Sequence, residues 1–198
     1  MILVELAEVP ASALPVARLK EHLRLGTGFG DDTVQEALLQ GFLRAAVAAV
    51  EARTGKALLE RPFEFTVHHW HRADRQPVPV APVGSVSAVA ILDATGQPRA
   101  IPLNALRLEI DGMRPCLAAV GGLLPAIPSG GSARVTFEAG YGPTWSHVPA
   151  DLAQAVMMLA THYHEHRADT GLSEGCMPFG VTALIERYRP LRLSGGMP

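Results

Sequence analysis

Residues 135–167 read VTFEAGYGPTWSHVPADLAQAVMMLATHYHEHR, and the hydrophobic period changes within this stretch. Its first residues follow the two-residue period of a β-strand. The glycines and prolines that come next predict a turn, and Pro149 suits the first turn of a helix, where the N–H that proline lacks would have no partner. Beyond Pro149 the apolar residues recur with helical spacing. One face of that helix carries Leu152, Ala155, Val156, Leu159 and Tyr163.

The chain before this stretch also has the two-residue period of strands. FEFTV (63–67) and LRLEID (106–111) alternate apolar and polar residues, and VGSVSAVAIL (83–92) and CLAAV (116–120) read as two further strands. Two short turns, DATGQP and DGMRP, lie between these segments. Because short connections can join only antiparallel neighbours, the strands are predicted to form an antiparallel sheet.

Helical spacing also appears before the strands. Residues 14–25 form one candidate helix, and DDTVQEALLQGFLRAAVAAVEARTG (31–55) is the clearest helix of the chain. Asp32 can cap its N-terminus with Gln35 in the capping-box position, and Gly55 suits its C-terminal end. One face of this helix carries Val34, Leu38, Phe42, Ala45 and Ala49.

The C-terminal segment VTALIERYRPLRL (181–193) predicts a short helix that ends at Pro190. The order of elements predicts an α+β fold, in which helical N- and C-terminal segments pack together with a small central antiparallel β-sheet. Residues 1–198 are predicted to form a single domain. Its helices cover about 14–55 and about 149–190, its β-rich region about 60–139, and a flexible tail covers 191–198.

The composition predicts a packed, soluble protein. Of the 198 residues 48% are hydrophobic and 18% are charged, and the formal net charge is −2. A general nucleic-acid binder would carry a basic stripe, so that class is disfavoured. The N-terminus has no basic region before its apolar residues and predicts no signal peptide. No apolar run approaches the roughly 20 residues of a membrane span, so the protein is expected to be made in the cytoplasm.

The run HYHEHR (162–167) raises the possibility of a metal site. On a helix, His162 and His166 lie on one face, whereas His164 points roughly 160° away at about 100° per residue. A zinc site needs a third ligand, and the glutamate of a HExxH motif is replaced by Tyr163. The run HHWH (68–71) could supply the third ligand, although in a strand His69 and His71 would face one way and His68 the other.

No other group of residues predicts catalysis. Cys116 falls in a predicted strand and Cys176 in a glycine-rich loop, and neither has a base nearby in sequence to activate it. The glycine-rich stretches GTGFG, GYGP and GGSAR lack the length or the order of a phosphate-binding loop and are predicted to be turns. We therefore expect no cofactor, no bound metal and no enzymatic activity.

Three stretches, in series along nearly the whole chain, resemble the head–tail connector (adaptor) family of tailed phages, which includes a variant found in gene transfer agents. The first stretch runs from LKEHLRL (19–25) through the long N-terminal helix to FEF (63–65). The second is 135–167, and the third is MPFGVTALIERYRPLRL (177–193). The signature positions carried over are Ala139, Gly140, Tyr141, Gly142, Val148, Pro149, Leu152, Ala155, Glu165, Arg167, Pro178, Gly180, Tyr188 and Arg189. Where relatives often have Tyr and Asn, this chain has His164 and His166, so the family implies no metal role for them.

The resemblance implies a structural virion component and not an enzyme. Members form a ring, dodecameric in the particle, that docks beneath the portal, extends the DNA channel and receives the next neck or tail protein. DNA would pass through without tight binding, and no membrane partner is implied. The protein would lie in the neck of the particle after assembly, and in the cytoplasm of the producing bacterium before it.

The candidate contact residues for neighbouring subunits or the portal are Glu165, Arg167, Pro178, Tyr188, Arg189 and Arg192. Glu165 and Arg167 are expected to form charge pairs within or between subunits, and residues 178–193 are expected to contact the portal. Two alternatives stay open: another neck protein, such as a stopper or tail-completion factor, and, less favoured, a metal-dependent enzyme that uses His162 and His166.

Overall fold

The computed structural model describes residues 1–24, 33–167 and 177–189 of the chain. Its α-helices are α1 (Val16–His22), α2 (Thr33–Thr54), α3 (Ala150–Glu165) and α4 (Phe179–Ile185). Its strands are β1 (Ile2–Glu5), β2 (Arg61–Val67), β3 (Arg75–Pro77), β4 (Val83–Leu92), β5 (Pro98–Ala100), β6 (Leu106–Glu109), β7 (Cys116–Ala119) and β8 (Ser132–Ala139). The predicted helix cap at Asp32, the end of the last helix at Pro190 and the tail 191–198 lie outside the described residues.

Helices and antiparallel sheets occur together, so the α+β prediction is confirmed. A five-stranded sheet has the order β1-β2-β8-β4-β5, and a three-stranded sheet has the order β3-β7-β6. Every strand pair is antiparallel, as the short connections predict. The sequence predicts one sheet where the structure has two, because β7 pairs with β3 and β6 and not with β8.

The chain divides into two compact units, each built from two separate segments. Met1–Pro10 and Ala57–His147 form the sheet unit, and the described residues of Ala11–Lys56 and Val148–Pro198 form the helical unit. Within the helical unit, α2 packs against α3 and α3 packs against α4. The N-terminal and C-terminal helices of the chain therefore belong to the same unit.

The core of the sheet unit is formed by the alternating residues of β2 and β8. Phe63, Phe65 and Val67 are buried while the residues between them are half-buried, as the pattern FEFTV predicts. The ring of Phe137 on β8 stacks on Phe63 with 5.7 Å between centroids and meets the edge of Phe65 at 5.8 Å. Such aromatic pairs add to the stabilisation that burial provides.

The predicted turns DATGQP (93–98) and DGMRP (111–115) are each held by an aspartate carboxylate. The Oδ1 atom of Asp93 accepts hydrogen bonds from the N–H of Thr95 at 2.8 Å, the hydroxyl of Thr95 at 2.7 Å and the N–H of Gln97 at 3.0 Å. The hydrogen bond from Thr95 is the main reason that the pKa of Asp93 lies below its ordinary value. Asp111 accepts from two main-chain N–H groups in the same way in the turn between β6 and β7.

Helix α2 buries a different face from the predicted one. Leu38 and Ala45 are exposed, and Phe42 and Ala49 are only half-buried. The buried side chains are Leu39, Leu43, Ala46, Val47 and Val50. The second half of α2 is apolar nearly all round, so two neighbouring stripes match the helical period equally well. The predicted helix end is confirmed, since Gly55 has a φ of +65° and donates its N–H to Glu51.

Helix α3 matches its predicted face more closely. Leu152, Ala155, Val156 and Leu159 are buried, and Tyr163 is half-buried. Helix α4 begins directly after Pro178. No helix among the described residues is long and apolar enough to cross a membrane.

Candidate interaction surface

The stretch Ala139–Gly142 forms a tight turn at the end of β8. Ala139 is fully buried, and Gly140 has a φ of +141° and donates its N–H to Pro82 at 2.9 Å. A Cβ atom on Gly140 would lie 2.3 Å from the nitrogen of Glu60 and 2.4 Å from its Cα. No side chain fits between two main chains at that distance, so Gly140 is required by the fold.

Gly142 is confined by a side chain instead. Its φ is +152°, and a Cβ atom there would lie 2.5 Å from Cγ of His147. The carbonyl of Gly142 accepts the N–H of Glu60 at 2.9 Å, and Tyr141 donates its N–H to Leu58 at 3.4 Å. The turn is therefore tied to the chain that enters β2 by main-chain hydrogen bonds.

The other positions of the central signature are also structural in this chain. Pro149 occupies the N-cap position of α3, and Val148, Leu152 and Ala155 are buried. Their side chains are not presented to a partner. The resemblance at these positions thus reflects how the strand, turn and helix are built, and the contact surface must be sought elsewhere.

Asp151, in the first turn of α3, holds the segment that follows α4. Its Oδ1 atom accepts the hydroxyl of Tyr188 at 2.8 Å, and its Oδ2 atom lies 2.7 Å from Nη2 of Arg187. The Arg187 guanidinium also covers the Tyr188 ring, with Cζ 4.7 Å from the ring centroid. Burial raises the pKa of Tyr188, and the hydrogen bond from Arg187 opposes that shift. The hydroxyl of Tyr188 is therefore bonded within the helical unit, where it holds the segment after α4 against the start of α3.

Pro178 and Phe179 stand at the start of α4. Pro178 occupies the N-cap position and is half-buried, whereas the side chain of Phe179 is 89% exposed. An aromatic side chain this exposed is a candidate anchor for a partner, because Phe, Tyr and Trp contribute much of the binding energy of protein interfaces. The sequence does not single out Phe179, since an apolar residue beside a helix start usually packs inward; only its exposure in the structure identifies it.

Glu165 and Arg167 lie at the end of α3, where both are exposed. Arg167 donates from Nη1 to the carbonyl of His164 at 2.9 Å, a bond that caps the last turn of the helix. A charge pair across a subunit boundary stays a prediction. Arg189 lies 3.2 Å from Glu186 in an exposed i,i+3 pair, and Arg192 lies outside the described residues.

The histidines in the last turn of α3 and at its C-cap, His166, are arranged as the helical geometry predicts. The rings of His162 and His166 are neighbours, with 4.5 Å between centroids, while His164 turns away and meets the ring of Phe42 edge-on at 5.9 Å. Within the described part of the chain, no cluster of three or more His, Cys, Asp or Glu side chains could hold a metal ion. Tyr163, between them, has its pKa raised by burial.

The HHWH run lies in a bend beyond the end of β2, so the alternation of a strand does not apply to its histidines. Two hydrogen bonds hold this bend: the indole N–H of Trp70 donates to the carbonyl of Pro125 at 2.7 Å, and the side-chain oxygen of Gln76 accepts the N–H of His71 at 2.8 Å. His68, His69 and His71 consequently line one open cavity of about 320 Å³ together with Met1, Val67, Gln76, Pro77 and Pro79.

The cysteines offer no activated nucleophile in the described chain. Cys116 is half-buried on β7, and burial raises the pKa of its thiol, which opposes formation of a thiolate. Cys176 lies outside the described residues.

No protein-family model and no curated protein matches the chain. Solved structures do match, and three of them, each similar over the full length of both chains, are the following. A chain in the neck of an empty GTA particle, computed with C6 symmetry, is 48% identical with a TM-score of 0.89. A chain in the virion of a native gene transfer agent particle is 47% identical with a TM-score of 0.87. A chain in the neck of a native GTA particle, computed with C12 symmetry, is 44% identical with a TM-score of 0.84.

Proposed function

The chain belongs to the family of neck proteins of gene transfer agent particles, and from that premise we propose that it is the adaptor of such a neck. As the adaptor it forms a ring beneath the portal, extends the DNA channel and receives the next neck or tail protein. The observation that carries this proposal is identity of 44–48% over the whole of both chains to chains of GTA particles. At that level the relatives share the fold and, by inference, the place in the assembly.

A ring is supported by the symmetry of the related necks. Two of the related structures were computed with C6 or C12 symmetry, and a dodecamer fits both. A cyclic ring repeats one heterologous contact, in which two different patches of the same chain meet. The formal net charge of −2 means that identical subunits can lie side by side without strong mutual repulsion.

The portal contact is assigned to the segment that begins at Pro178. Phe179 exposes an aromatic side chain there, and the segment behind it is fixed to α3 through Tyr188 and Asp151. A rigidly mounted, exposed anchor loses little conformational entropy on binding. The protein acts as a structural component and not as an enzyme. It is made in the cytoplasm of the producing bacterium and takes its place in the particle neck on assembly.

The test is assembly with the portal. The purified chain, mixed with purified portal of the same particle, should give a ring stacked on the portal ring in electron micrographs. Truncation after residue 175 should abolish docking. If both proteins are folded and no complex forms at any concentration tested, the adaptor assignment fails.

A second candidate is another neck protein, such as a stopper or tail-completion factor. The related chains are described as neck or virion chains, and those words fit more than one neck position. The order of assembly separates the two candidates. An adaptor binds the bare portal, whereas a stopper or completion factor binds only after another neck protein is in place.

A further inference from the structure

Strand β1, one of the two edge strands of the five-stranded sheet, has an apolar surface with nothing over it in the described chain. Strand β1 pairs only with β2. Met1, Ile2, Leu3, Val4 and Leu6 are between 42% and 71% exposed. A run of exposed apolar residues on an open sheet edge is a ready site for pairing with another chain.

β1 is a fixed part of the sheet and not a loosely attached end. The side-chain carboxylate of Glu5 pairs with the guanidinium of Arg61: Nε of Arg61 lies 2.6 Å from Oε1 of Glu5, and Nη2 lies 3.2 Å from Oε2. The Arg61 side chain is almost fully buried. A two-point contact with a buried guanidinium fixes the position of the strand, so its outer edge is presented in one conformation.

The ladder shows which main-chain groups point outward. Leu6 donates its N–H to Pro62 at 3.0 Å, and in an antiparallel pair the residues that bond the neighbour alternate along the strand. The main-chain N–H and C=O groups of Ile2 and Val4 therefore face β2. Those of Leu3 and Glu5 face away from the sheet. These outward groups can bond the edge of a further strand.

Two of the other three sheet edges are closed to such pairing by proline. On β5, Ile101 donates its N–H to Val89, so the outward positions are Pro98 and Ala100. On β3, Val78 donates its N–H to Pro115, so the outward positions are Arg75 and Pro77. A proline in an outward position removes the N–H that a new strand would need.

The remaining edge, β6, has no such protection. Val120 donates its N–H to Ala105 at 2.9 Å, so the outward positions in the same alternation are Leu106, Leu108 and Ile110. None of these is a proline. Leu106 is buried, whereas Leu108 is half-buried and Ile110, just past the strand, is 75% exposed. Each sheet of the sheet unit therefore carries one edge that no proline closes: β1 in the larger sheet, and β6 from Leu108 to Ile110 in the smaller one.

We propose that β1 of one copy of this chain pairs with β6 of the next copy around the ring. The two edges differ, so the contact is heterologous, which is the kind of contact that a cyclic ring requires. Main-chain hydrogen bonds would supply the pairing, and the exposed side chains of Ile2, Leu3, Val4 and Ile110 would be covered. This inference rests on the proposed function, because it assigns the subunit contact of the ring that the adaptor forms.

A proline variant tests the edge without disturbing the fold. Leu3→Pro removes an outward N–H and leaves the hydrogen bonds of Ile2, Val4 and Leu6 to β2 intact. The matched control is Ala100→Pro, which removes an outward N–H from β5, an edge that Pro98 already closes. Circular dichroism and the urea unfolding midpoint should show both variants folded. Rings on the portal should be absent for Leu3→Pro, at concentrations where the wild-type chain and Ala100→Pro form them.

A photo-crosslinking amino acid at position 3 identifies the partner edge in the wild-type fold. In assembled rings it should join two copies of the chain, with the second copy linked at residues 103–113. Crosslinks to a different protein or to another segment would overturn the proposal, as would intact rings of Leu3→Pro. Absence of rings for the wild-type chain would instead contradict the adaptor function itself.

Discussion

The main chains of Gly140 and Glu60 lie in direct contact, so close that a Cβ atom on Gly140 would be 2.3 Å from the Glu60 nitrogen. This contact joins the turn after β8 to the residues that lead into β2. Gly140 also has a φ of +141°, a conformation that residues with a side chain rarely adopt. The glycine is therefore required twice, by the available space and by the backbone conformation.

Gly140→Ala should destabilise the sheet unit by about 2–4 kcal/mol, because the turn must move away from Glu60 or adopt a strained conformation. The urea unfolding midpoint, measured by circular dichroism, checks this. Gly41→Ala is the matched control: Gly41 is exposed in α2 with nothing within 4 Å of the added Cβ. That variant should be about 0.5–1 kcal/mol more stable than the wild-type chain. Equal midpoints for Gly140→Ala and the wild-type chain would contradict the steric argument.

Tyr188→Phe should lower the free energy of unfolding of the helical unit by about 1 kcal/mol, because it removes the hydroxyl that donates to Asp151 at 2.8 Å. Denaturant unfolding measures the change. Arg189→Gln serves as the comparison, since it breaks only the exposed pair with Glu186 and should change stability by less than about 0.5 kcal/mol. Similar losses for the two variants would show that the Tyr188–Asp151 contact is not a structural tie.

The strand–turn–helix around residue 140 could be predicted because two signals coincide there. The hydrophobic period changes, and glycine and proline stand at the change. The buried face of α2 could not be predicted, since the alanine-rich second half of the helix has two equivalent apolar stripes. Strand β1 was missed because its run of adjacent apolar residues lacks the alternation of a half-buried strand.

Among the candidate contact residues, the sequence indicates those that the fold needs better than those that the fold leaves exposed. The resemblance pointed to Tyr188, but its hydroxyl is engaged inside the subunit by Asp151. Phe179 went unnoticed because its letter alone gives no information about exposure. A sequence pattern reports which residues a fold needs more readily than which residues it leaves for a partner, since only the packed structure shows what stays uncovered.

Asp93→Asn should weaken the acid sensitivity of the fold. The turn holds the pKa of Asp93 below its ordinary value of 3.8, mainly through the hydrogen bond from Thr95. The carboxylate therefore stabilises the fold above the pKa of the unfolded chain, and this stabilisation is lost as the pH falls through the folded value. Unfolding midpoints measured between about pH 6 and about pH 2 should show the variant less stable than the wild-type chain near neutral pH. The difference should shrink in acid, and a constant difference at all pH values would exclude a contribution from ionisation.

Phe179→Ala should leave the fold intact and weaken docking to the portal. The side chain is 89% exposed, so its removal should change the free energy of unfolding by less than about 0.5 kcal/mol. If the phenyl group of Phe179 anchors the portal contact, its removal should reduce the binding free energy by about 2 kcal/mol or more. That corresponds to a loss of at least about 30-fold in affinity for the portal. Light scattering or sedimentation of the portal mixed with the variant measures that loss. Leu123→Ala, which removes another exposed apolar side chain, at 71% exposure in the sheet unit, should dock as the wild-type chain does. If the two variants bind the portal equally well, Phe179 is not the anchor, and the contact must lie elsewhere in the segment after Pro178.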